Sequence, residues 1–257
     1  MAHHDFANAR TIFITGATSG FGAATARLFA QNGWKIVATG RREERLKDLQ
    51  SEFPDGQVHI VQMDLTDETS IKAGIDALPE SHSTIDCLFN NGGLALGVDP
   101  VPNVSREQWR TMIDTNIMGV LDVTLNLLPH LKKAGKGASI VNVGSIAGSF
   151  AYPGGNVYGA TKAFTHQFSY NLRSDLAGGD IRVTSLEPGM AKSEFTLVRT
   201  GSEEANEKLY EDVLPLVPQD IAEIVWFLAT RPAHVNINCV EVMPIAQTPS
   251  APTITRG

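Results

Sequence analysis

Short apolar runs alternate with longer amphipathic stretches along this chain, and the two kinds of segment differ in period. Short runs rich in Ile and Val are typical of strands buried on both faces, whereas the longer stretches repeat their apolar positions at helical spacing. This alternation predicts an α/β fold in which a doubly wound, seven-stranded parallel sheet carries helices on both faces. The predicted strands are 11–15, 35–39, 58–62, 85–90, 139–143, 181–186 and 238–242, and the predicted helices are 20–32, 43–53, 67–78, 105–131, 157–176, 203–213 and 219–230.

The same pattern bears on domain organisation. No linker rich in Pro, Gly, Ser or charge interrupts it, so residues 1–257 are predicted to form a single domain. Residues 189–215 combine polar and apolar positions without a clean period, which predicts a mobile lid over a substrate. Residues 238–257 are predicted to be a terminal strand and tail.

Composition excludes several classes of protein. The net charge of -7 and pI near 5.5 argue against a nucleic-acid surface, which would need clustered Lys and Arg. No run approaches the roughly 20 apolar residues of a membrane span. Two cysteines are too few for a disulfide framework. We therefore expect a cytoplasmic protein that binds neither nucleic acid nor membrane.

A glycine-rich loop lies between the first predicted strand and the first predicted helix. Its spacing is Gly-x3-Gly-x-Gly, and glycines there let the backbone turn tightly and approach a pyrophosphate at the helix N-terminus. A turn that only packs the helix on the sheet is the structural alternative. The cofactor-binding residues predicted here are Gly16, Thr18, Ser19, Gly20, Phe21 and Gly22.

Two arginines follow the second predicted strand. A protein that prefers NAD presents an acidic residue at this position, but no acid precedes Glu43. The planar donor forks of Arg41 and Arg42 suit a 2′-phosphate instead, which predicts NADP(H) as cofactor. Alternatively, both arginines are solvated charges that pair with Glu43 or Glu44.

A tyrosine and a lysine four positions apart lie on the long predicted helix at 157–176. Tyr158 and Lys162 share one face of that helix, so the ammonium can lie beside the phenol and lower its pKa. A phenol tuned in this way can exchange a proton with a substrate oxygen. Taken alone, the pair could equally be an ordinary surface pair.

These features occur together in one order, and from about residue 10 to residue 245 the chain resembles the short-chain dehydrogenase/reductases. The resemblance rests on the glycine loop, Asp64, the Asn90-Asn91 pair, Asn116, Ser145, Tyr158 with Lys162, and Pro188-Gly189. It implies a Rossmann-type fold and a dehydrogenase activity. It also implies cofactor contacts from Asp64, Leu65, Asn91, Gly92, Gly93, Tyr158, Lys162, Pro188 and Gly189. Gly92 departs from the family's usual alanine, which would loosen that turn.

The resemblance implies a catalytic tetrad of Asn116, Ser145, Tyr158 and Lys162. Tyr158 would act as acid or base, Ser145 would hold the substrate carbonyl, and Lys162 would hold the nicotinamide ribose and depress the pKa of Tyr158. Asn116 would hold a water that links Lys162 to solvent.

A narrower likeness concerns the substrate. Segments 15–22, 38–42, 93–97, 154–164 and 232–238 are similar to NADP-dependent 3-hydroxy acid dehydrogenases, a subgroup with enzymes for serine and allo-threonine, malonic semialdehyde reductases and similar sulfoacetaldehyde reductases. These substrates are short and anionic, so the site needs a cation. Arg199 is the first candidate for this cation and Lys192 is the second. Alternatively, Arg199 is only a surface charge on the lid. Phe150 and Tyr152 would limit the pocket's length, or only pack.

Three other functions stay open at this stage. An enzyme of the same fold could reduce a bulkier neutral ketone or an acyl thioester. A non-catalytic NADP sensor or a structural subunit would be expected to lose Tyr158 or Lys162, and this chain keeps both. The family likeness further implies a dimer or a tetramer, and we expect a homotetramer.

Overall fold

Seven strands form one sheet in the computed structural model, which describes residues 9–249 apart from 203, 205, 206 and 208. Every adjacent pair is parallel, as their burial on both faces predicts. The strands are β1 (Thr11–Ile14), β2 (Lys35–Gly40), β3 (Val58–Gln62), β4 (Cys87–Asn90), β5 (Ala138–Val143), β6 (Ile181–Pro188) and β7 (Cys239–Val242).

The order of the strands locates a crevice. The sheet reads β3-β2-β1-β4-β5-β6-β7, so the chain builds outward from β1 in one direction and then from β4 in the other. The strand order reverses between β1 and β4, and the connections on either side of that point run to opposite faces of the sheet. They leave a ligand-sized crevice at the carboxyl ends of the strands. The predicted class, a single-domain Rossmann-type doubly wound sheet, is confirmed.

Helices cover both faces of this sheet. In chain order the helices are α1 (Gly20–Gln31), α2 (Glu43–Ser51), α3 (Glu68–Asp76), α4 (Arg106–Ile113), α5 (Gly119–Ala134), α6 (Asn156–Asp175), α7 (Glu194–Thr200) and α8 (Pro218–Ala229). Helices α1, α2 and α8 pack against one face of the sheet in one buried cluster. Helices α3, α5 and α6 pack against the opposite face in a second cluster.

The prediction of one continuous helix over 105–131 is wrong in one respect. The structure divides it into α4 and α5, with a π-helical turn at Asp114–Met118 between them. A π turn inserts an extra residue and turns the next side chains to a new direction. Here it directs Asn116, which is 2% exposed, towards Leu94 beside the crevice.

The predicted lid contains a helix that the sequence pattern did not show. The side chain of Ser193 caps α7 by accepting a hydrogen bond from the Phe195 amide at 3.3 Å. At seven residues α7 is too short to be stable alone, so it depends on contacts with the rest of the domain. The helix predicted at 203–213 and the tail at 238–257 both include positions outside the described residues, and the mobility of the lid stays a prediction.

No helix among the described residues is both long enough and apolar enough to cross a membrane. The cytoplasmic location and the homotetramer stay predictions.

Candidate active site

A cleft of about 710 Å³ lies at the carboxyl ends of the strands, where the sheet order predicts a crevice. The glycine loop and the ends of β2 and β3 form one part of its wall, while the loop before α6 and the lid form another. The predicted site residues that line it are Gly16, Thr18, Ser19, Gly20, Phe21, Arg41, Arg42, Asp64, Leu65, Asn91, Gly92, Gly93, Ser145, Phe150, Tyr152, Tyr158, Lys162, Pro188, Gly189 and Arg199.

Three predicted residues lie elsewhere. Gly22 packs beneath the loop, where a Cβ atom would lie 2.3 Å from the Gly16 carbonyl oxygen. Asn116 is buried behind the cleft. Lys192 is exposed and does not line the cleft, and its backbone amide donates to the Leu216 carbonyl, so the structure does not bring this second candidate cation to the site.

The glycine loop forms a cradle at the start of α1. Gly16 has φ +69°, and a Cβ atom there would lie 3.0 Å from the Gly92 Cα, so both the backbone angle and the close approach require glycine. Ser19 precedes α1 without a side-chain cap, which leaves amide groups of the first turn facing the cleft. A helix N-terminus of this kind fits a pyrophosphate.

The loop after β4 is fastened to this cradle. The Thr15 hydroxyl accepts hydrogen bonds from the Asn91 and Gly92 amides at 2.9 and 2.8 Å, and the Asn91 side chain donates to the Thr15 carbonyl at 2.9 Å. A Cβ atom on Gly92 would lie 2.4 Å from Leu65 Cδ1. The Leu65 side chain therefore fills the space of the missing alanine methyl, and the expected loosening of the turn is not seen.

Two arginines converge on one lid carboxylate at the end of the cleft beyond β2. Arg42 donates to the hydroxyls of Thr18 and Ser19, both at 2.8 Å, and pairs with Glu194 of α7 at 2.9 Å. Arg45 pairs with the other oxygen of Glu194 at 2.7 Å. No local sequence pattern indicates Glu194 or Arg45 as site residues, because only folding brings α7 beside α2.

Tyr158 and Lys162 lie on the buried face of α6. They are 8% and 7% exposed, and the ammonium lies 5.8 Å from the centre of the phenol ring. Lys162 Nζ donates to the Val143 carbonyl at 2.7 Å. The Ser145 hydroxyl, which follows β5, donates to the Pro188 carbonyl at 3.3 Å and also interacts with the phenol.

Burial dominates the acid–base properties of this pair. It raises the pKa of Tyr158 above the ordinary value, and Tyr152 adds to this, while Ser145 and the charge of Arg199 act in the opposite direction. Burial also lowers the pKa of Lys162 to about 8. The expected depression of the Tyr158 pKa by Lys162 is therefore absent here, because removal of the phenol from water outweighs the charges around it.

Asn116 has partners other than the expected water. Its side-chain oxygen accepts from the Leu94 amide at 2.9 Å, and its amide donates to the Leu94 carbonyl at 2.8 Å and to the Thr161 hydroxyl at 3.1 Å. These bonds tie the loop after β4 to α6. Asn116 thus fixes the helix that carries Tyr158.

Arg199 extends from α7 to the end of the cleft that contains Tyr158. Its guanidinium carbon lies 5.8 Å from the centre of the Tyr158 ring and 5.5 Å from that of Tyr152. Its nitrogens donate to the carbonyls of Gly97 at 3.4 Å and Gly154 at 3.3 Å. Among the described residues no carboxylate pairs with this guanidinium, which lies beside the phenol.

The crevice and the groups at its two ends define a class of protein. A doubly wound sheet with a phosphate cradle at its switch point is typical of dinucleotide-binding proteins, and a buried phenol beside a lysine at the far end suits a nicotinamide-dependent oxidoreductase. The chain belongs to the short chain dehydrogenase family, whose family model matches residues 10–203.

Individual relatives resemble nearly the whole chain. Sulfoacetaldehyde reductase 2 of Chromohalobacter salexigens is 52% identical over 95% of this chain and 98% of its own. The NADP-dependent 3-hydroxy acid dehydrogenase YdfG of Escherichia coli O6:H1 is 48% identical over 92% and 95%. A solved structure, the closed form of serine dehydrogenase complexed with NADP+, has a TM-score of 0.89 and 45% identity and covers 96% of this chain and all of that one.

The predicted cofactor and enzyme class are confirmed by these comparisons. The protein is an NADP-dependent oxidoreductase. The cradle, the α1 N-terminus and Arg42 fit the charges of this cofactor.

Proposed function

We propose that this enzyme interconverts a short anionic aldehyde or oxo acid and its hydroxy form, with Tyr158 as the acid/base. The candidates are malonic semialdehyde, or another oxo form of a 3-hydroxy acid, and sulfoacetaldehyde. The guanidinium of Arg199 carries this proposal: it lies 5.8 Å from the centre of the Tyr158 ring, and no carboxylate of the described residues pairs with it.

Arg199 supports an anionic substrate for reasons of charge and distance. A cation held beside a buried phenol, without a carboxylate from the described residues, leaves a position where a negative group is stabilised. A short substrate whose carbonyl oxygen meets Tyr158 can place its anion on Arg199. Malonic semialdehyde and sulfoacetaldehyde both have one methylene between carbonyl and anion, so both fit the same span.

The residues around the carbonyl then have separate tasks. NADPH, when bound, supplies the hydride that reduces the carbonyl carbon, and a proton is consumed at the oxygen. Tyr158 donates that proton, and because burial raises its pKa the phenol is protonated at neutral pH. Ser145 orients the same oxygen. Lys162, held by the Val143 carbonyl, fixes the ribose side of the site.

At the other end of the cleft, we propose that the cofactor's 2′-phosphate contacts Arg42, with Arg41 beside it. The anchoring partners of Arg42, Thr18 and Ser19, lie at the phosphate cradle. Glu194 is bound to the same guanidinium, so its carboxylate and the 2′-phosphate compete for one cation.

Glu194→Gln is expected to tighten NADPH binding about two- to fivefold, because an exposed ion pair contributes only about 0.2–1 kcal/mol. Binding of NADH, which has no 2′-phosphate, should be unchanged. Fluorescence titration with both cofactors measures this difference. Glu44→Gln is the matched control, since Glu44 pairs with Lys47 away from the cleft. Weaker NADPH binding by Glu194→Gln would instead mean that the carboxylate helps to hold the cofactor.

The substrate proposal is tested by initial rates of NADPH and NADH oxidation with four aldehydes. These are sulfoacetaldehyde, malonic semialdehyde, succinic semialdehyde and a neutral aldehyde of matched size. We expect a higher kcat/KM with NADPH for one of the two shortest anions. Preference for the neutral aldehyde would favour a reductase of neutral ketones or acyl thioesters, and NADPH binding without turnover would favour a sensor.

A further inference from the structure

Three side chains that the proposed reaction does not use meet at the edge of the sheet, on the face covered by α6. They are His166 of α6, Glu187 of β6 and Cys239 of β7. A nitrogen, an oxygen and a sulfur atom from these side chains all lie within 4.8 Å of one another. Three different metal-binding groups from three separate elements therefore face one point.

Strand periodicity explains how the cluster is assembled. Side chains two positions apart on a strand face the same side, so Glu187 follows Val183 and Ser185 on the α6 face of β6. Ser185 is the parallel partner of Cys239, which places the thiol on that face as well. Apolar packing at Val183 thus gives way to polar groups near the end of the strand.

The Glu187 side chain is the most informative member. It is 3% exposed, and a carboxylate removed from water needs a cation or several donors around it. Its Oε1 accepts from the Ser185 hydroxyl at 2.9 Å and lies 2.5 Å from His166 Nδ1. No Lys or Arg among the described residues pairs with this carboxylate. The Cys239 side chain also interacts with Glu187. A metal ion at this point would supply the positive charge that the carboxylate lacks.

We infer that His166, Glu187 and Cys239 bind a Zn²⁺ ion that links α6 to the edge of the sheet. Mixed nitrogen, sulfur and oxygen ligands suit this borderline-soft ion, which takes four ligands in a tetrahedron. Such a site places its ligand atoms about 3.5 Å apart, so the three side chains need to move by only about 1 Å. The side chain of His166 is 39% exposed and leaves a path for entry and for a water as fourth ligand.

The ion would stabilise the elements that carry the active site. His166 lies one turn after Lys162 on the same helix, and Glu187 immediately precedes Pro188, which lines the cleft. A metal at this point joins both to the edge strand β7. Only the folded chain brings the three ligands together, so the ion binds the folded state and not the unfolded one. Its binding should therefore raise the melting temperature.

The test uses the full-length protein freed of metal by a chelator. Titration with Zn²⁺ should show one equivalent bound tightly and a rise in melting temperature of several degrees. Co²⁺ in place of Zn²⁺ should give a thiolate-to-cobalt charge-transfer band in the near ultraviolet. That band reports Cys239, because the other cysteine of the chain, Cys87, is fully buried in the core.

Variants assign the ligands. His166→Ala and Cys239→Ser should each lower the affinity for Zn²⁺ at least tenfold, abolish the thermal shift and weaken or remove the cobalt band. His234→Ala, which removes an exposed histidine outside the cluster, is the matched control and should behave as the wild type. If Cys239→Ser does not fold, His166→Ala, at a partly exposed position of α6, still decides the matter. Absence of the band in the wild type, or an equal thermal shift in His166→Ala, would overturn the site and leave His166 and Glu187 as a hydrogen-bonded pair.

Discussion

Tyr158→Phe is expected to lower kcat by about 10² to 10⁴ while NADPH binding stays nearly unchanged, because proton transfer by a positioned side chain contributes that much to the rate. The substitution removes only the hydroxyl. The ring keeps its packing against Phe195, whose centre lies 5.5 Å away, so the fold should tolerate the change. Steady-state rates and cofactor titration on the same preparation measure both effects.

Tyr152→Phe is the control for this substitution. Tyr152 lines the same cleft and also lies beside Arg199, but it has no proposed part in proton transfer. We expect a change in kcat of well under tenfold. Turnover retained by Tyr158→Phe would contradict the acid/base role and leave the phenol as a packing residue.

Arg199→Ala is expected to raise KM for anionic aldehydes by about 10- to 100-fold, since a hydrogen bond to a charged group contributes about 1.5–3 kcal/mol. KM for a neutral aldehyde of equal length should change little. Carbonyl oxygens of Gly97 and Gly154 hold the guanidinium, so it is in position before a substrate binds. Kinetics with matched anionic and neutral aldehydes separate the two cases.

Lys192→Ala is the matched control, because it removes a lid cation that is exposed and outside the cleft lining. Its KM for anions should stay within about twofold, as expected for a screened surface charge. Arg199→Lys should restore part of the affinity, because lysine keeps the positive charge. The recovery should be incomplete, because a point charge lacks the planar pair of donors of arginine. Equal losses for anionic and neutral aldehydes in Arg199→Ala would remove Arg199 as the anchor.

The ion pair between Arg42 and Glu194 at the cofactor site could not be predicted from the sequence. Arg42 was identified from its place after β2, but its ion-pair partner comes from α7, 152 positions further along the chain. No local pattern links the two segments. The competition between a lid carboxylate and the proposed phosphate contact is therefore a property of the folded chain.

Tyr158 shows the same limit for acid–base chemistry. Helical spacing placed Tyr158 and Lys162 on one face, and this part of the prediction holds in α6. Spacing carries no information on burial, which raises the pKa of the phenol and lowers that of the ammonium. The predicted depression of the Tyr158 pKa does not hold in the folded chain, because desolvation outweighs the opposite effects of Ser145 and Arg199.

Hydrophobic period and short-range spacing are enough to predict the parallel sheet, the glycine cradle and the helix face shared by Tyr158 and Lys162, because each of these is a local pattern. The tertiary structure sets which distant groups meet. It brought Arg199 to the phenol, left Lys192 in solvent, turned Asn116 inward through a π turn and gathered His166, Glu187 and Cys239. These arrangements depend on how helices and strands pack, and packing joins residues whose separation along the chain gives no signal.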